Sequence, residues 1–135
     1  LAVFMGKALL FAASRKQKCV SKSPTDSELI ALSDNIQFVE LFAEFMAFIT
    51  NSEIEAPVIY EDCTAVITLV TEGGGVMRTK HLRVRMELCK QPLQEGKFTI
   101  KYVNTKQMLA DGLTKTLEGD DFIVFAENLL GTTMA

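Results

Sequence analysis

The run SPTDSELIALSDNIQFVELFAEFMAFIT, residues 23–50, limits the fold more than any other part of this chain. Leu32, Ile36, Val39, Ala43 and Met46 recur at helical spacing on one stripe, and Phe38, Phe42, Phe45 and Ile49 fall on a neighbouring one. Two adjoining apolar stripes are too wide for a surface helix, so the pattern predicts a central, largely buried one. Its start is marked by Pro24, by Ser23 or Thr25 as cap, and by Asp26 and Glu28 in a first turn where the helix dipole favours anions.

Shorter elements surround that helix. LAVFMGK and ALLFAAS are apolar runs that meet at Gly6 and Lys7, the spacing of a tight hairpin. Pro57 opens the short strand VIY, CTAVITLVTE reads as a short helix, and Gly73, Gly74 and Gly75 end it. HLRVRMELCKQPLQEG reads as a helix interrupted or ended near Pro92, KFTIKYV as an alternating strand, and NTKQMLADGLTKTL as loop then helix. DDFIVFAENLL has the apolar character of a last helix. The order describes a layered α/β architecture. With 135 residues, 48% of them hydrophobic, the chain is long enough for one domain with a core.

Charge and cysteine usage exclude several classes. A net charge of -3 argues against a protein that grips nucleic acid by bulk positive charge, so any polyanion contact must be local. Cys19, Cys63 and Cys89 are odd in number and far apart, with only His81 as an imidazole partner. That excludes a zinc framework and argues against a disulfide scaffold. No apolar stretch approaches the ~20 residues of a membrane span. A reducing, intracellular setting is the expectation.

Three acids stand out by position. Glu28 lies at the start of the long helix, Asp62 at the end of the short strand, and Asp111 in LADGLTK. In layered α/β folds, strand ends and helix starts are where ligands collect. Each acid alone is as well read as a cap or a solvated carboxylate. Taken together, carboxylates without a neighbouring base suit hard divalent cations, magnesium above all.

The series KQKCVSKSPTDSELIALSD, VIYEDCTAVI, RTKHLRVR and FTIKYVNTKQMLADGLTK resembles the ribonuclease H domain at the end of copia-type retrotransposon polyproteins. The resemblance implies a ribonuclease H-like α/β fold, a mixed sheet flanked by helices. It spans residues 1–118, with 119–135 as a helical tail. It also implies cleavage of the RNA strand of RNA/DNA hybrids with two magnesium ions, manganese being the alternative ion. Matched by motif, Glu28, Asp62 and Asp111 take the family's catalytic, metal-binding positions. Asp62 is matched rather than Glu61, and because neighbours on a strand face opposite ways, Glu61 is expected to matter much less.

The chain departs from the family in one respect. The family's first catalytic aspartate sits on a strand preceding the hairpin, and no residue before Leu1 supplies it. The expectation is an N-terminally incomplete domain whose first strand is missing, which cuts poorly alone because both ions lose a shared ligand. The sheet edge left open would be filled by the missing strand or by another chain.

Two basic clusters, Arg15, Lys16, Lys18 and Lys22, and Arg78, Lys80, His81, Arg83 and Arg85, are candidates for tracking hybrid phosphates, or simply a solvated basic face. Of these, Arg15, Lys16, Lys18, Arg78 and Lys80 are the chosen contacts. His81 is read as structural, Cys63 as a packing residue, and the triple glycine as a linker because no GK[ST] follows it. The competing function is a noncatalytic, domesticated descendant serving as a structural or interaction subunit. The retained acids favour the enzyme, and the absent aspartate and acidic charge favour the subunit.

Overall fold

The computed structural model describes residues 1–73 and 80–131. It is mixed α/β, with four helices and two two-stranded sheets among the described residues. The chain divides into two compact units, one made of Leu1–Lys16 with Asn104–Ala135, the other of Gln17–Val103.

In the first unit, β1 (Ala2–Met5) pairs antiparallel with β2 (Ala8–Ala12). The hairpin turns at Gly6, whose φ of +60° is a conformation glycine adopts without steric cost. Val3 faces Phe11 but Phe4 faces Leu9, so Leu10 bulges out of the ladder. The expected loop and helix at NTKQMLADGLTKTL is instead two 3-10 turns, Thr105–Gln107 and Leu109–Leu113. Asn104 caps the first by accepting the Lys106 N–H at 3.0 Å. Gly112 packs under the Phe125 ring in the second, where no side chain would fit. The last helix, α4 (Gly119–Leu130), follows as expected.

The second unit is built around α1 (Pro24–Thr50). Ser23 is the cap, its hydroxyl accepting the Asp26 N–H at 3.1 Å, and Pro24 takes the first helical position. Asn51 closes the far end with left-handed backbone. Next come β3 (Val58–Glu61), α2 (Thr64–Thr71), α3 (Lys80–Gln94) and β4 (Thr99–Tyr102). β3 and β4 run parallel, Ile59 opposite Ile100 and Glu61 opposite Tyr102. A parallel pair needs a crossover, and α2 and α3 lie on it. Gly73 keeps a positive φ after α2, as the glycine run predicts, whereas Gly74 and Gly75 lie outside the described residues.

One expectation is met and another needs correction. α3 takes in Pro92 and ends near it, at Gln94. Pro92 falls in its last turn, so a single intrahelical bond is forfeited, that to the carbonyl of half-exposed Leu88. α1, however, is not buried along its length. Leu29, Ile30, Leu32 and Ile36 enter the core, whereas Leu41, Phe45, Phe48 and Ile49 stay exposed. The buried residues of α1 all lie in its N-terminal half. There its side chains close on Val66 and Val70 of α2, on Leu82, Met86 and Cys89 of α3, and on Phe98 ahead of β4. Each large apolar side chain buried in that cluster contributes about 1.5–3 kcal/mol.

Candidate functional site

β3 brings the site's backbone to its place by simple alternation. Val58 and Tyr60 point outward, Ile59 is half-buried, and Glu61 is buried at 7% exposure. The strand ends at Glu61, whose carbonyl accepts the Val103 N–H at 3.1 Å and so ties the strand end to the neighbouring chain beyond β4. The chain then bends through Asp62 and enters α2, where the Cys63 carbonyl receives the N–H groups of Val66 and Ile67 at 3.0 and 3.2 Å. Asp62 therefore sits half-exposed between a strand end and a helix start, one residue past the strand the sequence had it finishing.

The Glu61 carboxylate turns back on this bend. Its Oε1 accepts the Cys63 N–H at 3.1 Å. Burial, partly offset by that hydrogen bond and reinforced by the nearby Glu28 and Asp62 carboxylates, pushes Glu61 up to about 7. The same coupling shows what α1 contributes. Glu28 lies one residue beyond the first turn, where Asp26 is the acid, and its exposed carboxylate is close enough to act on Glu61.

The turn ahead of α1 is held in place by polar contacts. Gln17 Nε2 donates to the Ser27 carbonyl at 2.7 Å, Ser21 and Ser27 share a hydrogen bond at 2.6 Å, and the Lys22 N–H reaches Asp26 at 3.3 Å. His81, at the start of α3, lines a small cavity with Lys22 and Asp26. Further along α3, Arg85 donates to Ser33 at 2.7 Å and pairs with Asp34, which takes this cation out of any basic face.

The Retrovirus-related Pol polyprotein from transposon RE1 of Arabidopsis thaliana is 26% identical over 127 residues, covering 94% of this chain and 9% of that polyprotein. Its counterpart from transposon RE2 is 25% identical over the same length. The Retrovirus-related Pol polyprotein from transposon TNT 1-94 of Nicotiana tabacum is 28% identical over 122 residues, 90% of this chain. The chain is similar to a segment of copia-type retroelement Pol polyproteins. It spans about 9% of the length of these curated relatives. No family model matches the chain, and no solved structure matches it.

Of the acids singled out by the retroelement resemblance, Glu28 and Asp62 lie in the second unit, both acting on Glu61. Asp111 lies in the first unit, in the second 3-10 turn, where its carboxylate pairs with Lys115 and its carbonyl accepts from Thr114 and Lys115 N–H. Among the described residues, no three His, Cys, Asp or Glu side chains are grouped as a cage for a metal ion. The donor chemistry at the β3 end nonetheless suits a hard cation. The groups are carboxylates, and no lysine or arginine is among the neighbours that shift Glu61. Magnesium keeps several waters and takes one or two carboxylates, so a full protein cage is not required.

The cations divide in the same way. Arg15 and Lys16 are exposed in the first unit, and Lys18 and Lys80 are exposed in the second. Arg78 lies outside the described residues. No helix of the described residues is long and apolar enough to cross a membrane.

Sequence reasoning set Glu61 aside because it neighbours the matched aspartate. Nothing in VIYE marks its inward turn, because Val58, Ile59 and Tyr60 are all apolar although the strand puts Val58 and Tyr60 out and Ile59 and Glu61 in.

Proposed function

We propose that this chain is the ribonuclease H-like part of a copia-type retroelement Pol polyprotein, and that the parent protein hydrolyses the RNA strand of RNA/DNA hybrids. The observation that carries the reading is the pair of carboxylates at the end of β3, buried Glu61 and half-exposed Asp62, with Glu28 of α1 acting electrostatically on Glu61. The similarity to Pol polyproteins over nearly the whole chain supports it. So does the order of elements, hairpin, long helix, strand, helices and strand, which agrees with the motif order.

Asp62 and Glu28, both in the second unit, would hold magnesium in this reading. When bound, the ions would supply an activated water and charge neutralisation at the scissile phosphate. The chain's own residues do the rest. The carboxylates orient and balance charge, and exposed Lys18 and Lys80 attract the phosphate backbone in a salt-dependent way. Among the described residues of the second unit β3 and β4 pair with each other alone, and a further strand would pair at their edge.

The test is hybrid cleavage in magnesium by a version extended on its N-terminal side, compared with its Asp62→Asn variant. A fall of orders of magnitude on substitution, with the fold intact by circular dichroism, supports the reading. An extended chain that binds hybrid but cuts no faster than buffer overturns it. It would favour the second reading, a noncatalytic interaction module, for which the exposed Leu41, Phe45, Phe48 and Ile49 face of α1 speaks.

A further inference from the structure

The link between β3 and α2 is only two residues long, Asp62 and Cys63, and one side chain spans it. Glu61 ends β3, is 7% exposed, and reaches over Asp62 to accept the Cys63 N–H at 3.1 Å. On the other side, the Glu61 carbonyl accepts the Val103 N–H at 3.1 Å. The residue is thus fixed at both ends, by its main chain to the sheet and by its side chain to the helix entrance. α2 has no side-chain cap of its own, since Cys63 offers none. The Glu61 carboxylate supplies a side-chain hydrogen bond at this helix entrance in place of that cap.

We infer that Glu61 is a positioning residue for Asp62: its buried carboxylate, by holding the Cys63 N–H, clamps the backbone bend that carries the Asp62 side chain. The inference rests on the reading of Asp62 as a metal ligand and assigns Glu61 no contact with the ion. Burial explains why the clamp is firm. Water does not compete well for a buried hydrogen bond, and a buried N–H left without its acceptor is costly. Loss of a partner that orients a ligand in this indirect way typically costs about 10- to 100-fold in metal affinity.

The experiment uses the full 135-residue chain, labelled with nitrogen-15, and manganese ions alone as the probe. Three readouts are taken on the parent, Glu61→Gln and Glu61→Leu: hydrogen exchange at the Cys63 amide, manganese-induced broadening of the Asp62 and Cys63 signals during titration, and thermal unfolding. Glutamine keeps the acceptor and loses the charge, whereas leucine keeps the bulk and loses the acceptor.

Glu61→Leu is expected to lose Cys63 protection about tenfold and to weaken manganese binding at Asp62 by about tenfold or more. Glu61→Gln is expected to match the parent in both within about twofold, a rescue that a charge or ligand role would not give. If Glu61→Leu does not fold, the glutamine variant decides alone. Retained protection with unchanged manganese binding supports the clamp, and retained protection with binding weakened tenfold overturns it. Manganese binding that is equal in the parent and in Glu61→Leu overturns this inference and leaves the metal site standing. Manganese that broadens nothing near Asp62 in the parent overturns both.

Discussion

Glu61 makes the stability of this protein fall as pH rises, and replacing it with glutamine should remove that dependence. Its carboxyl is pushed up to about 7 from an ordinary 4.5, first by burial and then by the Glu28 and Asp62 carboxylates against the opposing Cys63 hydrogen bond. Below pH 4.5 the group is protonated in both folded and unfolded chains and costs nothing. Between 4.5 and 7 the unfolded chain releases its proton while the folded one keeps it, so stability declines through that window. Above 7 the full penalty is present. A gap of that size corresponds to about 3 kcal/mol, and the side chain is too buried for solvent to screen much of it. Glutamine keeps an oxygen for the Cys63 N–H and carries no charge. In EDTA, urea unfolding followed by circular dichroism from pH 4 to 8.5 should show the parent and Glu61→Gln alike at pH 4. They should part progressively to about 3 kcal/mol at pH 8, a midpoint shift of roughly 1–3 M urea. A difference that is flat across the range, or largest at low pH, refutes the reasoning.

Further outcomes follow from other contacts. Ser23→Ala removes the oxygen that accepts the Asp26 N–H, and should lower stability by about 1 kcal/mol, read as a drop of a few degrees in Tm. Ile36→Ala, at 2% exposure in the central cluster, should cost about 2–5 kcal/mol in urea unfolding, whereas Phe48→Ala, at 83%, should change stability little. Burial pushes the Cys89 thiol up to about 12 while Cys19 is exposed, so iodoacetamide at pH 8 should modify Cys19 rapidly and leave Cys89 intact until the chain unfolds, as peptide mass mapping would show.

What the sequence disclosed, it disclosed through local rules. Gly6 and Lys7 between two apolar runs gave the hairpin, and Ser23 with Pro24 gave the start of α1, because turn and cap preferences act over a few residues. The end of α3 near Pro92 was legible too, because proline is tolerated in a final turn and not in a helix interior. The 3-10 turns around Asp111 were missed because Gly112 and the Phe125 ring meet only after folding. At the site, the placement of Glu28 near a helix start and of Asp62 by a strand end was legible from the order of elements. The inward turn of Glu61 was not, since an adjacent pair of acids says which two faces are used but not which one the core lies on.

The uneven burial of α1 gives the helix a gradient of local free energy along its length. From Leu29 to Ile36 it is anchored by the core, while from Gln37 to Thr50 every side chain keeps some contact with water. A helical stretch of that length is marginal when little packing holds it. Its outer turns should open far more often than the protein unfolds, so their amides exchange by fraying from Asn51 inward while those near Ile30 wait for global opening. A brief proteolytic pulse would then nick α1 beyond Gln37 and spare the strand end that carries Glu61 and Asp62.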